Sequence, residues 1–339
     1  MSNKIFIDCD PGHDDLFAIM LAIHSDAEII GISCVAGNQT VEKTTVNAIR
    51  ALRLAGGKDA LSIPVFRGAS RPVLHKSAIC PEIHGESGLG LLNNLTWAHI
   101  DAEIQEKIDE VENEKTPCLM NMYTTIKAHQ NVKLIVTGPA TNVGLLLAGF
   151  PDVIDHIEGV YFMGGAYSGR GNTKPTAEFN VEVDPIAWET VCRRCRMNNK
   201  KIYVASLELT HNYAAATDDI IERIRDKQTS KDDCDFWFFI ESLMLFFAKT
   251  YKEVFCLDSP PVHDPCAVAM AICSEELNIK YKNWHLDVDC SETMMGGTTI
   301  VDHYGLTDME PNATFAVSMD SQGYWNRMIE CMEKSAQFW

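Results

Sequence analysis

"KIFIDCDPGHDDLFAIMLAIH", Lys4 to His24, decides the fold. It opens with an apolar run, Ile5-Phe6-Ile7, of the kind that forms a buried strand. A turn carrying four carboxylates in eight residues follows, Asp8 to Asp15. From Leu16 to His24 the pattern becomes that of an apolar helix. A strand passing through a short polar turn into a helix is the unit of a parallel α/β sheet, and in such sheets ligands bind beyond the carboxyl ends of the strands. The acidic turn lies at that kind of place.

Working outward, strand-like runs recur at Glu28–Val35, Val65–Arg67, Lys133–Thr137, Gly159–Met163, Lys201–Ala205 and Asn283–Val288. Helical stretches at Val41–Leu54, Thr116–Gln130, Asn142–Ala148 and Pro185–Cys195 lie between several of them. The alternation predicts an open, mostly parallel sheet with helices on both faces. Asp101–Lys115 is acidic and reads as a solvated helix or loop. Asp232–Tyr251, "DDCDFWFFIESLMLFFAKTY", reads as a long aromatic-rich helix. There is no internal repeat and no Pro/Gly-rich linker, so residues 1–339 are expected to form one domain.

The composition narrows the function. Of 339 residues 46% are hydrophobic, and the formal net charge is −18. A nucleic-acid binder carries a basic face, and this chain offers none, so no nucleic-acid partner is expected. The start, Met1-Ser2-Asn3-Lys4, leads into a short strand rather than a signal-peptide core, and no apolar run is long enough to span a bilayer. A cytoplasmic address without a membrane partner is expected. The twelve cysteines are scattered. The one C-x-x-C, Cys192 to Cys195, lacks the second pair a zinc site needs, so the thiols read as structural or incidental.

The acidic turn raises a question of charge. Asp8 and Asp10 share one face of the strand end, because side chains alternate with period two. Asp14 is placed to cap the following helix, and Asp15 to sit in its first turn, where the helix N-terminus favours negative charge. That settles a pair of carboxylates at best. A divalent cation with oxygen ligands would neutralise the rest, and Ca²⁺ tolerates irregular loops better than Mg²⁺. A capped, solvated loop is the alternative. An EF-hand is excluded, since its fifth and twelfth positions would be Gly12 and Ile19. The Asp-x-Asp loop of haloacid-dehalogenase-type phosphotransferases is weakened by Gly12, where that family places Thr.

Further polar groups are spread along the chain. "VTGPATNVG", Val136 to Gly144, ends a strand and opens a helix. "PVHDPCAVA", Pro261 to Ala269, sets His263 and Asp264 before an apolar helix. "AEFNVEVDP", Ala177 to Pro185, offers Glu178 and Asn180 on one face if extended, a pairing suited to sugar hydroxyls. "IHGESGLG", Ile83 to Gly90, joins His84 to three glycines without the lysine of a P-loop.

Taken together these segments resemble the nucleoside hydrolases of the inosine–uridine-preferring type. The motifs are "DCDPGHDD", "VAGN", "HGESGLG", "TGPATN", "MGG", "GNTKPTAEFN" with "VEVDP", and "HDP", in the family's order. The resemblance runs from Lys4 to Ala271 and is weaker in Leu92–Lys115 and towards the C-terminus. It implies a Rossmann-like α/β fold and hydrolysis of the N-ribosidic bond of ribonucleosides, of the purine-salvage type. It also implies Ca²⁺ held by Asp10, Asp15, the Thr137 carbonyl and Asp264. Asp14, Asn38, Asn172, Glu178 and Asn180 would hold the ribose, with the Met163 backbone nearby. His84 and Tyr251 would lie near base or ribose. Asp10 would be the general base and His263 the proton donor to the leaving base. Where the family often has a second tyrosine, one helical turn before Tyr251, this chain has Phe247. Relatives are homodimers or homotetramers. A metal-dependent nucleoside-binding protein without turnover and the phosphotransferase are the competing functions.

Overall fold

The computed structural model describes residues 3–232 and 235–339. Its nine strands are β1 (Asn3–Cys9), β2 (Ala27–Cys34), β3 (Val65–Arg67), β4 (Val132–Val136), β5 (Ile157–Met163), β6 (Lys201–Ala205), β7 (Lys280–Val288), β8 (Thr299–Asp302) and β9 (Ala313–Ser318). They form one sheet in the order β3-β2-β1-β4-β5-β6-β9-β7-β8. The first six run parallel, and β9 continues them against β6. β7 is antiparallel to both β9 and β8. The order of the first six is that of a doubly wound dinucleotide-type sheet, whose direction of winding reverses between β1 and β4.

The helices are α1 (His13–Ile23), α2 (Val41–Ala60), α3 (Pro81–His84), α4 (Ala98–Asn113), α5 (Cys118–Lys127), α6 (Thr141–Gly149), α7 (Phe179–Val183), α8 (Pro185–Met197), α9 (Leu207–Tyr213), α10 (Asp218–Arg225), α11 (Phe236–Phe255), α12 (Pro265–Ile272) and α13 (Ser321–Ser335). Two separate cores form because the sheet is covered on both sides. Ile5, Ile7 and Cys9 face a core with α1, α2, α4, α11, α12 and α13, whereas Phe6 faces the one built with α5, α6 and α8. Alternation along β1 thus feeds both layers, which is why the central strands are apolar throughout. No helix among the described residues is long and apolar enough to cross a membrane.

The expected α/β architecture is present, and the seven expected strands are all found. Two strands, β8 and β9, carry no strong signal: one is a four-residue edge strand, and the other is short and follows a Pro-Asn turn. Two further segments differ from expectation. Asp101–Lys115 falls within α4 and its flank, where Ile100, Ile104, Lys107 and Val111 make a buried stripe. Ion pairs Arg50–Asp101 and Arg53–Glu103, both 2.7 Å, fasten this helix to α2. The aromatic helix begins at Phe236. Asp235 precedes it and accepts from the amides of Trp237 and Phe238. Residues 233 and 234 of that stretch, like Met1 and Ser2, lie outside the described residues. Cys192 and Cys195 are both buried free thiols in α8.

Candidate active site

The turn after β1 is tighter than its sequence implies. Helix α1 begins at His13, three residues before Leu16, so Asp14 and Asp15 both stand in its first turn. The cap expected of Asp14 is made instead by Asp15, whose Oδ2 accepts the Gly12 amide at 3.0 Å. Asp14 is thereby freed to face a cavity of about 330 Å³ at the carboxyl ends of the strands. Asp15 is held further by the Thr137 hydroxyl at 2.8 Å and the Asn38 side-chain amide at 3.2 Å.

Asp10 sits at the switch point between β1 and β4. Its Oδ2 accepts the Asn38 amide at 2.7 Å, and its Oδ1 has no hydrogen-bond partner. Two glycines make room for it. A Cβ on Gly37 would lie 2.1 Å from Asp10 Oδ2, and one on Gly138 would lie 2.6 Å from Oδ1. Asp264 arrives from the far end of the chain as the residue before α12, yet its carboxylate makes no capping bond. Carboxylate oxygens of Asp14, Asp15 and Asp264 lie within 4.8 Å of one another. Asp10 stands outside that tightest group but close enough to act on its charges. Asp8, which shares the crowded sequence, turns away from the cavity to Ser33 and to the Asn142 amide at 2.8 Å.

Burial, and then the neighbouring aspartates, push the Asp10 and Asp264 carboxyls well above the usual carboxylate range. Burial with Asp15 beside it raises Asp14 to about 7. Buried like charges this close call for a counter-charge or for protons. The donors fit a hard cation: all are oxygens, and Asp10 Oδ1 and Asp14 Oδ1 are both buried without partners.

Opposite the acids, Glu178 is extended and caps the short helix α7, and Asn180 stands in that helix's first turn. Glu178 accepts from the amides of Gly165, Asn180 and Val181, and burial raises its carboxyl to about 7. The Asn180 side-chain amide donates to the carbonyls of Thr137 at 2.7 Å and Met163 at 3.0 Å. Asn172 accepts the Phe179 amide and also lines the cavity. The structure therefore gathers Asp14, Asn38, Thr137, Met163, Asn172, Glu178, Asn180 and Asp264 around one space, with Asp10 and Asp15 directly beneath.

The other wall is aromatic and apolar: Ile79, Ile83, Val254 and Phe255 join His84, Tyr251 and His263. Tyr251 Oη and His263 Nε2 are 2.8 Å apart. Burial holds the His263 pKa well below the ordinary histidine value, so its ring is neutral in the ligand-free protein rather than poised near pH 7. His84 is buried at the end of α3, against His13, whose ring lies beside Phe246 and Phe247. Neither His13 nor Thr210, 2.8 Å from His263 Nδ1, stands out in the sequence. Thr210 follows β6, and the position beyond a strand's carboxyl end is the signal that would have found it.

Comparison with known proteins identifies the family. The chain is 35% identical over 336 residues to a probable ribonucleoside hydrolase of Dictyostelium discoideum, covering 97% of this chain and 94% of that protein. It is 34% identical over 335 residues to the pyrimidine-specific ribonucleoside hydrolase RihA of Shewanella woodyi, covering 98% and 99%. Among solved structures, a plant nucleoside hydrolase superposes with a TM-score of 0.81 at 22% identity, covering 98% of this chain and 99% of that one. A purine-preferring ribonucleoside hydrolase from Gardnerella vaginalis gives 0.80 at 24%, covering 99% and 100%. These two show the shared fold. The family model "Inosine-uridine preferring nucleoside hydrolase" matches residues 5–326, and with relatives of this identity along nearly the whole length the chain belongs to that metal-dependent family of ribonucleoside N-glycosidases.

Proposed function

We propose that this enzyme is a Ca²⁺-dependent ribonucleoside hydrolase in which Asp10, Asp15, Asp264 and the Thr137 carbonyl hold the ion. The observation that carries this is the buried group Asp14, Asp15 and Asp264, with carboxylate oxygens within 4.8 Å, and the partnerless Oδ1 of Asp10 beside it. A bound divalent cation supplies charge that grips a vicinal diol and lowers the pKa of a water. Asp14, Asn38, Asn172, Glu178, Asn180 and the Met163 backbone orient the ribose. Asp10 takes the proton of the attacking water at its free Oδ1. As the N-ribosidic bond breaks, positive charge grows on the sugar ring, and the acidic floor with Glu178 stabilises it. His84, Tyr251 and His263 face the base. The Tyr251–His263 pair supplies the leaving-group proton, since neutral His263 is joined to a hydroxyl rather than to a carboxylate.

Pyrimidine ribonucleosides are the proposed preferred substrates, supported by the pyrimidine-specific relatives at about one-third identity. The purine-salvage expectation keeps only the sequence resemblance behind it. One assay tests ion and base together: chromatographic product analysis with uridine, cytidine, inosine, guanosine and adenosine, before and after exhaustive chelation. Activity that returns with Ca²⁺ and is highest on uridine or cytidine supports the proposal. Activity indifferent to metal refutes the ion's role, and a purine preference refutes the base assignment. Nucleoside binding without product over hours favours the non-catalytic binding protein, and release of phosphate from a phosphoester favours the phosphotransferase. In the same proposal residues 1–339 act as one domain, a homodimer or homotetramer in the cytoplasm. A single sheet built from strands between residues 3 and 318 supports the first point. Light scattering tests the second.

A further inference from the structure

Behind Tyr251 the hydrogen-bond chain does not stop at histidine. His263 Nδ1 lies 2.8 Å from the Thr210 hydroxyl, and Thr210 Oγ1 lies 3.3 Å from the Leu207 carbonyl. Both Thr210 and His263 are buried, and Thr210 does not line the cavity. We propose that Thr210 is a positioning residue whose hydroxyl lets the Thr210–His263–Tyr251 hydrogen-bond chain run in either direction and so lets the Tyr251 proton turn from the histidine to the leaving base. The inference rests on the Tyr251–His263 pair serving the leaving group.

A neutral imidazole has one N–H and one lone pair, so its two neighbours must play opposite parts. A carbonyl beside Nδ1 would lock one tautomer, and a backbone amide would lock the other. A hydroxyl accepts both. In one sense Thr210 O–H donates to the Leu207 carbonyl, Nδ1–H donates to Thr210, and Tyr251 O–H is spent on Nε2. In the other, Thr210 O–H donates to Nδ1, Nε2–H donates to Tyr251 Oη, and the tyrosine proton is released into the cavity. Only the second sense can serve a leaving base. The electron pair of the broken N-ribosidic bond stays on the base nitrogen and takes the Tyr251 proton. The negative charge left on Oη is met by Nε2–H, which stabilises it.

The test compares natural nucleosides with p-nitrophenyl riboside, whose leaving group departs without protonation. Thr210→Val keeps the shape and removes the hydroxyl. We expect kcat on uridine and inosine to fall about 10- to 100-fold, the lower part of the range for losing acid–base assistance. KM should be unchanged, and the loss on p-nitrophenyl riboside should stay below about 3-fold. Thr210→Ser should restore the nucleoside rate. Equal losses on both kinds of substrate, or no rescue by Ser, overturn the proposal. His263→Ala and Tyr251→Phe on the same substrates separate it from the reading beneath. If those two also lose both substrates equally, the leaving-group pair itself fails; if they discriminate and Thr210→Val does not, Thr210 alone fails. Should Thr210→Val not fold, nitrogen NMR of histidine-labelled wild-type protein decides. Ring nitrogens of His263 with pH-independent averaged shifts support two interchanging tautomers, and a single fixed tautomer overturns the proposal.

Discussion

Asp15→Asn removes one charge from the acidic cluster with little change of shape, because each oxygen's neighbours tolerate the amide. The amide oxygen can face the Gly12 and Asn38 donors, and its NH₂ can face Thr137 Oγ1, a hydroxyl able to accept. Two unit charges 4.8 Å apart, the outer separation within the cluster, repel by about 3.5 kcal/mol at an effective dielectric constant of ~20. Protons already shared by the raised carboxyls, Asp14 at about 7 among them, reduce the relief to roughly 2 kcal/mol. A chain of 339 residues unfolds with an entropy of about 0.7 kcal/mol/K, so metal-free Asp15→Asn should melt about 3 °C above metal-free wild type at pH 7.5. The sign follows from linkage. Carboxyls raised in the folded state bind more protons folded than unfolded above about pH 4, so the cluster's contribution to metal-free stability falls as pH rises through the raised values, whereas buried neutral histidines such as His263 add stability as pH rises towards about 6.5. Asp15→Asn should show the shallower fall. Adding Ca²⁺ should reverse the order: wild type at 100-fold over Kd gains about 2.7 kcal/mol, near 4 °C, and the variant gains little. Scanning calorimetry from pH 5 to 8, with chelator and with Ca²⁺, measures all of this. A metal-free variant that melts below wild type, or one whose advantage over wild type does not grow as pH rises, would refute the electrostatic account.

Other outcomes follow from single contacts. Gly138→Ala should displace Asp10, cutting kcat by about 10²-fold or more while far-UV dichroism stays native, as expected when a general base is moved; near-wild-type turnover would free Asp10 from its assigned role. His263→Ala should lose about 10²-fold on uridine and inosine but spare p-nitrophenyl riboside, and parallel losses would remove the histidine from leaving-group assistance. Asp235→Ala should cost about 1–2 kcal/mol in urea denaturation at pH 7 by uncapping α11. Burial works against the Asp235 charge, but hydrogen bonds from Thr229, Ser230 and Phe238 win and hold its pKa at about 2. Its contribution is therefore full above about pH 4 and lost as pH falls towards 2, so an undiminished cost near pH 2 would contradict the capping role.

Much of the fold is local and so was legible in the chain. Strand runs, polar turns and helix patterns from Lys4 to Ala205 each carry their own period, and a parallel sheet follows from their alternation. β8 and β9 escaped because short strands of ordinary composition have no local signature, and β9 is chosen as a strand by its neighbours β6 and β7. The family was equally legible, since its motifs are contiguous words of sequence. The site was legible as types of residue but not as partners. Asp15 is fixed by Thr137, 122 residues away, and His263 by Thr210, 53 residues away. Which aspartate caps α1, which carboxyl oxygens are left bare and which histidine stays neutral depend on burial and on contacts between distant segments. Those are properties of packing, which no local pattern encodes, and only the folded chain decides them.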